Sequence, residues 1–307
     1  MLGFLVLGYV AYHFMLSPLP EFPTGAYITI ADGNSLSDVA SLLKDRGAVR
    51  SARTFREVAR LLGDDRRIPA GVYYFPTPQN LIEIAIRVTT GDFETTPIRV
   101  TVPEGATVEQ ISRILLQKLP TFDRRAFLSA AEGKEGYLFP DTYFFMPGDS
   151  TGTILSVFNN NFNSHLLKAQ KQIAAFKKPL PEVLTMASLL EKEASDTRSR
   201  RIIAGILWHR IQIGMPLQVD AVFPYIIGKN SFQLTLDDLK TDSPYNTYTN
   251  KGLPPSPISN PSLDSITAAV TPIKTDYLFY LSDKQGNFHF AATYQQFLVY
   301  KHRYLGS

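Results

Sequence analysis

The 307-residue sequence contains no cysteine, which excludes disulfides, thiolate metal sites and cysteine nucleophiles and leaves the redox compartment open. Histidine is scarce. The five, at positions 13, 165, 209, 289 and 302, form no i, i+4 pair and no HExxH, so no zinc site is expected and no cofactor is implied. G-x-G-x-x-G, the P-loop and the G-x-S-x-G elbow are all missing, which removes the usual nucleotide signatures and the elbow form of serine catalysis. A charge excess is also lacking: 31 Lys and Arg against 28 Asp and Glu give +3, and no nucleic-acid partner is expected.

What is present must fold. With 44% hydrophobic and 19% charged residues the chain is not disordered, and its length suits two compact units plus extras. Residues 1–19 contain no Asp, Glu, Lys or Arg, and a helix rising about 1.5 Å per residue would nearly cross a hydrocarbon layer of ~30 Å. Pro18 and Pro20 would end it, while Tyr9 and Tyr12 suit an interface. No basic n-region precedes the run and no small-x-small site follows it, so an uncleaved single-pass anchor is expected rather than a signal peptide. No Lys or Arg precedes Lys44, so charge bias does not orient it.

A strand-turn-helix pattern then appears twice. Residues 27–30 alternate as a strand, Asp32-Gly33-Asn34 turns, and Ser35 opens a helix bearing Leu36, Val39, Ala40, Leu42 and Leu43, with Asp38 where a capping box usually has Glu or Gln. The grammar recurs at 98–102, with Thr107 capping toward Gln110 ahead of Val108, Ile111, Ile114 and Leu115. Between the copies lie a helix at 51–62 and a strand at 70–75. Strand, helix, helix, strand resembles a LysM-like module, a small fold whose members often grip cell-wall glycan. Residues 126–162 read as irregular, and Lys177, Lys178, Pro179 and Pro181 mark a boundary.

After that boundary, Pro181 starts a helix with Val183, Met186, Ala187, Leu190 and Ala194 on one stripe. Glu191 and Glu193 fall on opposite flanks of the stripe, and periodicity does not choose between them. A carboxyl beside an apolar stripe is desolvated, which favours its protonated form and suits a general acid. Further on, 243–248 pairs Tyr and Asn groups with aromatic faces, a combination suited to a sugar, and 252–261 is a stiff Pro-dense loop.

Four segments carry a family resemblance: Ala187-Ser188-Leu189-Leu190-Glu191-Lys192-Glu193-Ala194, Gly214-Met215-Pro216-Leu217-Gln218-Val219-Asp220, Tyr245-Asn246-Thr247-Tyr248 and Gly252-Leu253-Pro254-Pro255. With Glu135-Gly136 through Asp141-Thr142-Tyr143, they make the chain resemble the MltG-type (YceG-like) endolytic murein transglycosylases over about 27–297. The resemblance implies a membrane-anchored lyase that cuts the MurNAc-GlcNAc bond of peptidoglycan strands and leaves 1,6-anhydroMurNAc ends. It further implies Glu191 as general acid and then base, with Gln218, Asp220, Tyr245, Asn246, Thr247 and Tyr248 on the substrate.

The expected architecture is α+β: an anchor at 1–20, a LysM-like region at 26–120, a connecting segment at 121–180 and a catalytic part at 181–307. The expected partners are peptidoglycan strands, the cytoplasmic membrane and the wall-synthesis or division machinery, with the catalytic part on the extracytoplasmic side. Two other readings stay open: a non-catalytic glycan-binding scaffold, and a hydrolytic muramidase using Glu191 with Asp220.

Overall fold

The computed structural model describes residues 15–62 and 68–306, together with Gly8. The expected membrane span therefore lies largely outside the described residues, and among those described no helix is long and apolar enough to cross a membrane. The α+β class holds, with eleven α-helices and three two-stranded sheets among the described residues. Packing divides the chain into two units. One comprises Met1–Arg99, Lys118–Phe122 and Phe144–Ser150; the other comprises Val100–Gln117, Asp123–Tyr143 and Thr151–Ser307.

The first unit contains β1 (Ala26–Ile30), α1 (Leu36–Asp45), α2 (Ala52–Leu62), β2 (Gly71–Phe75) and α3 (Leu81–Thr90). β1 and β2 pair antiparallel, Ala26 opposite Phe75 and Ile30 opposite Gly71, so the strand-helix-helix-strand order closes on itself. Strand alternation sends Ile28 and Ile30 inward, where they meet Leu43, Phe55, Tyr73 and Phe75 in one core. Ser35 and Asp38 form the expected capping box of α1.

β3 (Ile98–Thr101) and β4 (Thr142–Phe145) make a second sheet. The second unit contains α4 (Val108–Lys118), α5 (Arg124–Ala130), α6 (Thr151–Phe176), α7 (Leu180–Glu193), α8 (Thr197–Gln212) and the short α9 (Phe223–Ile226). It ends with α10 (Leu263–Val270), the antiparallel pair β5 (Phe279–Ser282) and β6 (Phe288–Ala291), and α11 (Tyr294–Leu305). The expectation of irregular structure over 126–162 fails. That stretch holds most of α5, all of β4 and the first half of α6. Four strand residues are too few for alternation to stand out, and the Asn run of α6 masks buried Ile154, Phe158 and Phe162 at helical spacing.

α7 also differs from the single stripe expected. Every residue from Val183 to Leu190 is buried, because α8, α10 and the 3₁₀ turn Asp220–Val222 pack against it on several sides. Thr185 and Ser188 tolerate this by bonding locally: their hydroxyls donate to the carbonyls of Pro181 and Thr185. After Glu182 in its first turn, the helix carries no further charge until its last, with Glu191, Lys192 and Glu193.

Candidate active site

The end of α7 borders a cleft of about 870 Å³, a volume within the range of small-molecule sites. Glu193, Lys192, Glu135, Tyr225 and Ile258 line it, with the start of α4 from Thr107 to Arg113. Thr107 caps α4 through the predicted exchange with Gln110, at 3.2 and 3.0 Å.

Glu193 is enclosed by polar partners. Tyr280 on β5 donates its hydroxyl to Glu193 Oε2 at 2.9 Å, and Asp220 and Arg210 lie close enough to act on its charge. Burial, aided by the negative charge of Asp220, pushes the Glu193 carboxyl up to about 7. Arg210 is itself buried, donating to the carbonyls of Leu217 and Leu278 at 2.6 and 2.7 Å.

Glu135 is the second displaced carboxyl of the cleft. Burial pushes it up to about 7, against the opposing pull of the Val108 amide and the Lys192 ammonium. Its Oε1 also accepts from Asn260 Nδ2 at 2.9 Å. Asn260, fully buried, accepts from Leu138 N–H and donates to the Ala106 carbonyl, so it stitches the Pro-dense loop to two other segments. Burial lowers the pKa of Lys192, and burial together with the charge of Glu191 raises that of Glu104.

Glu191, the expected acid, is placed differently. Its Oε1 accepts from Arg200 at 3.1 Å, and its Oε2 accepts from both the amide and the hydroxyl of Ser262 at 2.8 and 2.6 Å. Its side chain is 5% exposed and does not line the cleft. Arg200 is shared with Asp264 at 2.6 Å, and Ser262 is the N-cap of α10. Three donors on two oxygens make Glu191 an acceptor that ties α7 to α8 and α10, a poor arrangement for a group that must give up a proton.

The other expected substrate residues separate into two groups. Asn246 and Thr247 are 0% and 2% exposed, and the scaffold takes up their hydrogen bonds. Asn246 Nδ2 donates to the carbonyls of Leu239 and Thr241, and Thr247 Oγ1 accepts from Val219 N–H. At these two residues the sugar-like pattern is an internally satisfied turn. Tyr248 is half-buried and donates to Asp220, which lies close to Glu193. Tyr245 bonds Ser256 at 2.6 Å and packs its ring 5.1 Å from that of Tyr225 on the cleft wall. Gln218 is exposed and away from the cleft lining, with a left-handed φ of +50°.

Sequence reasoning missed Arg200, Ser262, Asn260 and Tyr280, whose roles depend on partners 71 or more positions away in three of the four cases. The only local signal was Ser262-Leu263-Asp264-Ser265, an N-cap pattern.

Residues 28–303 match the model of the YceG-like family. The chain belongs to that family. An endolytic murein transglycosylase of Bacillus subtilis is 31% identical over 95% of the YceG-like chain and 89% of the relative. One from Streptococcus pneumoniae is 27% identical over 92% of the chain, which spans 60% of that longer relative. A crystal structure of a putative yceG-like protein from Listeria monocytogenes shares 29% identity at a TM-score of 0.60, covering 92% of this chain and 99% of the other.

Proposed function

We propose that this protein is a peptidoglycan lytic transglycosylase that cuts within glycan strands, with Glu193 as the group that moves the proton. The observation that carries the reading is a buried carboxyl on the wall of a cleft, raised to about 7, so that it holds a proton through half of its population near neutrality. The names borne by the Bacillus and pneumococcal relatives supply the reaction class.

Protonated Glu193 gives its proton to the oxygen linking MurNAc to GlcNAc as the C1–O bond breaks and positive charge develops at the MurNAc anomeric carbon. The resulting carboxylate takes the proton of the C6 hydroxyl while O6 bonds to C1. The products are a new GlcNAc hydroxyl end and a 1,6-anhydroMurNAc end, Glu193 is reprotonated, and no water is consumed. Tyr280, Asp220 and Arg210 hold Glu193 and set its proton affinity. Glu191 is a positioning group that fixes the last turn of α7. Residues 1–19 anchor the chain in the bacterial cytoplasmic membrane with the cleft on the extracytoplasmic side. The LysM-like first unit grips glycan, beside the synthases that supply new strands.

The test is digestion of purified sacculi with product ends read by mass spectrometry. The wild type is expected to release anhydroMurNAc-ended fragments, and Glu193→Gln to lose release by about 10²-fold or more while keeping its fold. Reducing MurNAc ends would make the protein a hydrolytic muramidase, and no fragments a glycan-binding scaffold. Full activity in Glu193→Gln, with activity lost from a folded Glu191→Gln, would return the acid to Glu191.

A further inference from the structure

Beside the cleft lies a second hollow of about 440 Å³, and Gly133 belongs to the lining of both. The turn from Gly133 to Leu138 is the partition between them. Glu135 contributes to the cleft, and Lys134 and Tyr137 to the hollow, whose far side is the first turns of α6 with Ser156 and Asn159. The two hollows share Gly133. That residue has no side chain, and a Cβ built there would meet nothing within 4 Å.

The hollow is chemically unlike a packing defect. Tyr137 presents a half-buried ring braced 5.4 Å from that of Phe162. The half-buried Tyr137 and the exposed Ser156, Asn159 and Lys134 side chains have no hydrogen-bond partner among the described residues, so their polar groups are open to a ligand. A braced aromatic face beside unpaired donors and acceptors suits a pyranose, whose C–H face packs on the ring while its hydroxyls bond the polar rim. Lys134 adds a cation suited to the carboxylates of a peptide stem.

We propose that this hollow is a glycan subsite, continuous over Gly133 with the catalytic cleft, that binds a strand beyond the sugars being cut and makes the enzyme favour long strands over short ones. The inference rests on the reading of the cleft as a glycan-cutting site and deepens it by naming where the extended substrate runs.

The test uses the full chain carrying Glu193→Gln, so that binding is measured without turnover, with a tetrasaccharide and an octasaccharide of peptidoglycan as probes in calorimetry. The octasaccharide is expected to bind about tenfold more tightly, a difference of about 1.4 kcal/mol. Adding Tyr137→Ala with Asn159→Ala should make the two dissociation constants converge. Gly133→Asn should do the same by placing a side chain on the crossing, with a residue that tolerates the left-handed φ of +71° found there. Retention of the length dependence in both variants overturns the subsite. Failure of both probes to bind the Glu193→Gln chain overturns the glycan reading itself, a different result from equal binding of the two.

Discussion

Burial moves two carboxyls of the cleft in the same direction, and the sign of the consequence follows. Glu193 and Glu135 each rise from an ordinary value of 4.5 to about 7, so between these limits the folded protein binds protons that the unfolded chain has released. Stability contributed by the neutral carboxyls is fully present below pH 4.5 and is lost as pH rises through about 7. Urea titrations across this window should therefore show falling stability, and Glu193→Gln with Glu135→Gln should flatten the fall. A slope unchanged in the double variant would mean that neither group titrates there. With Glu193 as the proposed acid, sacculus cleavage needs it protonated at the first step, so the rate should decline above about pH 7. Glu191 makes a different prediction. Removing it leaves Arg200, 7% exposed, with Asp264 as its remaining carboxylate, so Glu191→Ala should cost about 3 kcal/mol in urea unfolding. A loss of activity unaccompanied by that destabilisation would show that Glu191 acts in the chemistry instead.

The elements of the site depend on one close approach. Gly105, at the turn between β3 and α4, has φ +70°, and a Cβ there would stand 3.0 Å from Lys192 Nζ and 3.3 Å from Glu191 Cγ. Gly105→Ala should cost about 1–2 kcal/mol through backbone strain and crowding, and should shift the NMR signals of the Lys192 side chain more than those of Tyr280. An Ala variant as stable as the wild type would remove this turn from the account. Elements with local rules were readable beforehand. Ser35 and Asp38 announce α1, and Thr107 and Gln110 announce α4. Glu191 and Glu193 are not separable in the sequence, because both flank the one apolar stripe expected there and their different partners come from elsewhere: Arg200 and Ser262 for the first, Tyr280 for the second. Within Tyr245-Asn246-Thr247-Tyr248 the sequence does not show that Asn246 and Thr247 are turned inward while Tyr245 reaches the cleft wall. Polar side chains inside a turn and polar side chains facing a sugar have the same composition, and only burial separates them.

At the scale of the whole molecule, the site belongs to no single stretch of chain. Asn260 reaches Ala106 and Glu135, Leu138 N–H reaches back to Asn260, and Phe162 from α6 sits in the same core as Leu184, Leu190 and Ile266. The second unit accordingly takes in Val100–Gln117 and Asp123–Tyr143 besides everything from Thr151 onward. A catalytic fragment beginning at 181 would open the core to which Phe139 and Phe162 contribute and would leave Asn260, fully buried in the whole chain, without its acceptors. An uncovered apolar face and unpaired buried amides together exceed what a fragment of this size has in reserve, since net stability is about 5–15 kcal/mol even for intact domains. The fragment 181–307 should therefore show no cooperative urea transition by circular dichroism, whereas 100–307, which restores every partner named here, should show one. If the shorter fragment unfolds cooperatively, the Glu135–Asn260 seam is an accessory to the site rather than a condition of its folding.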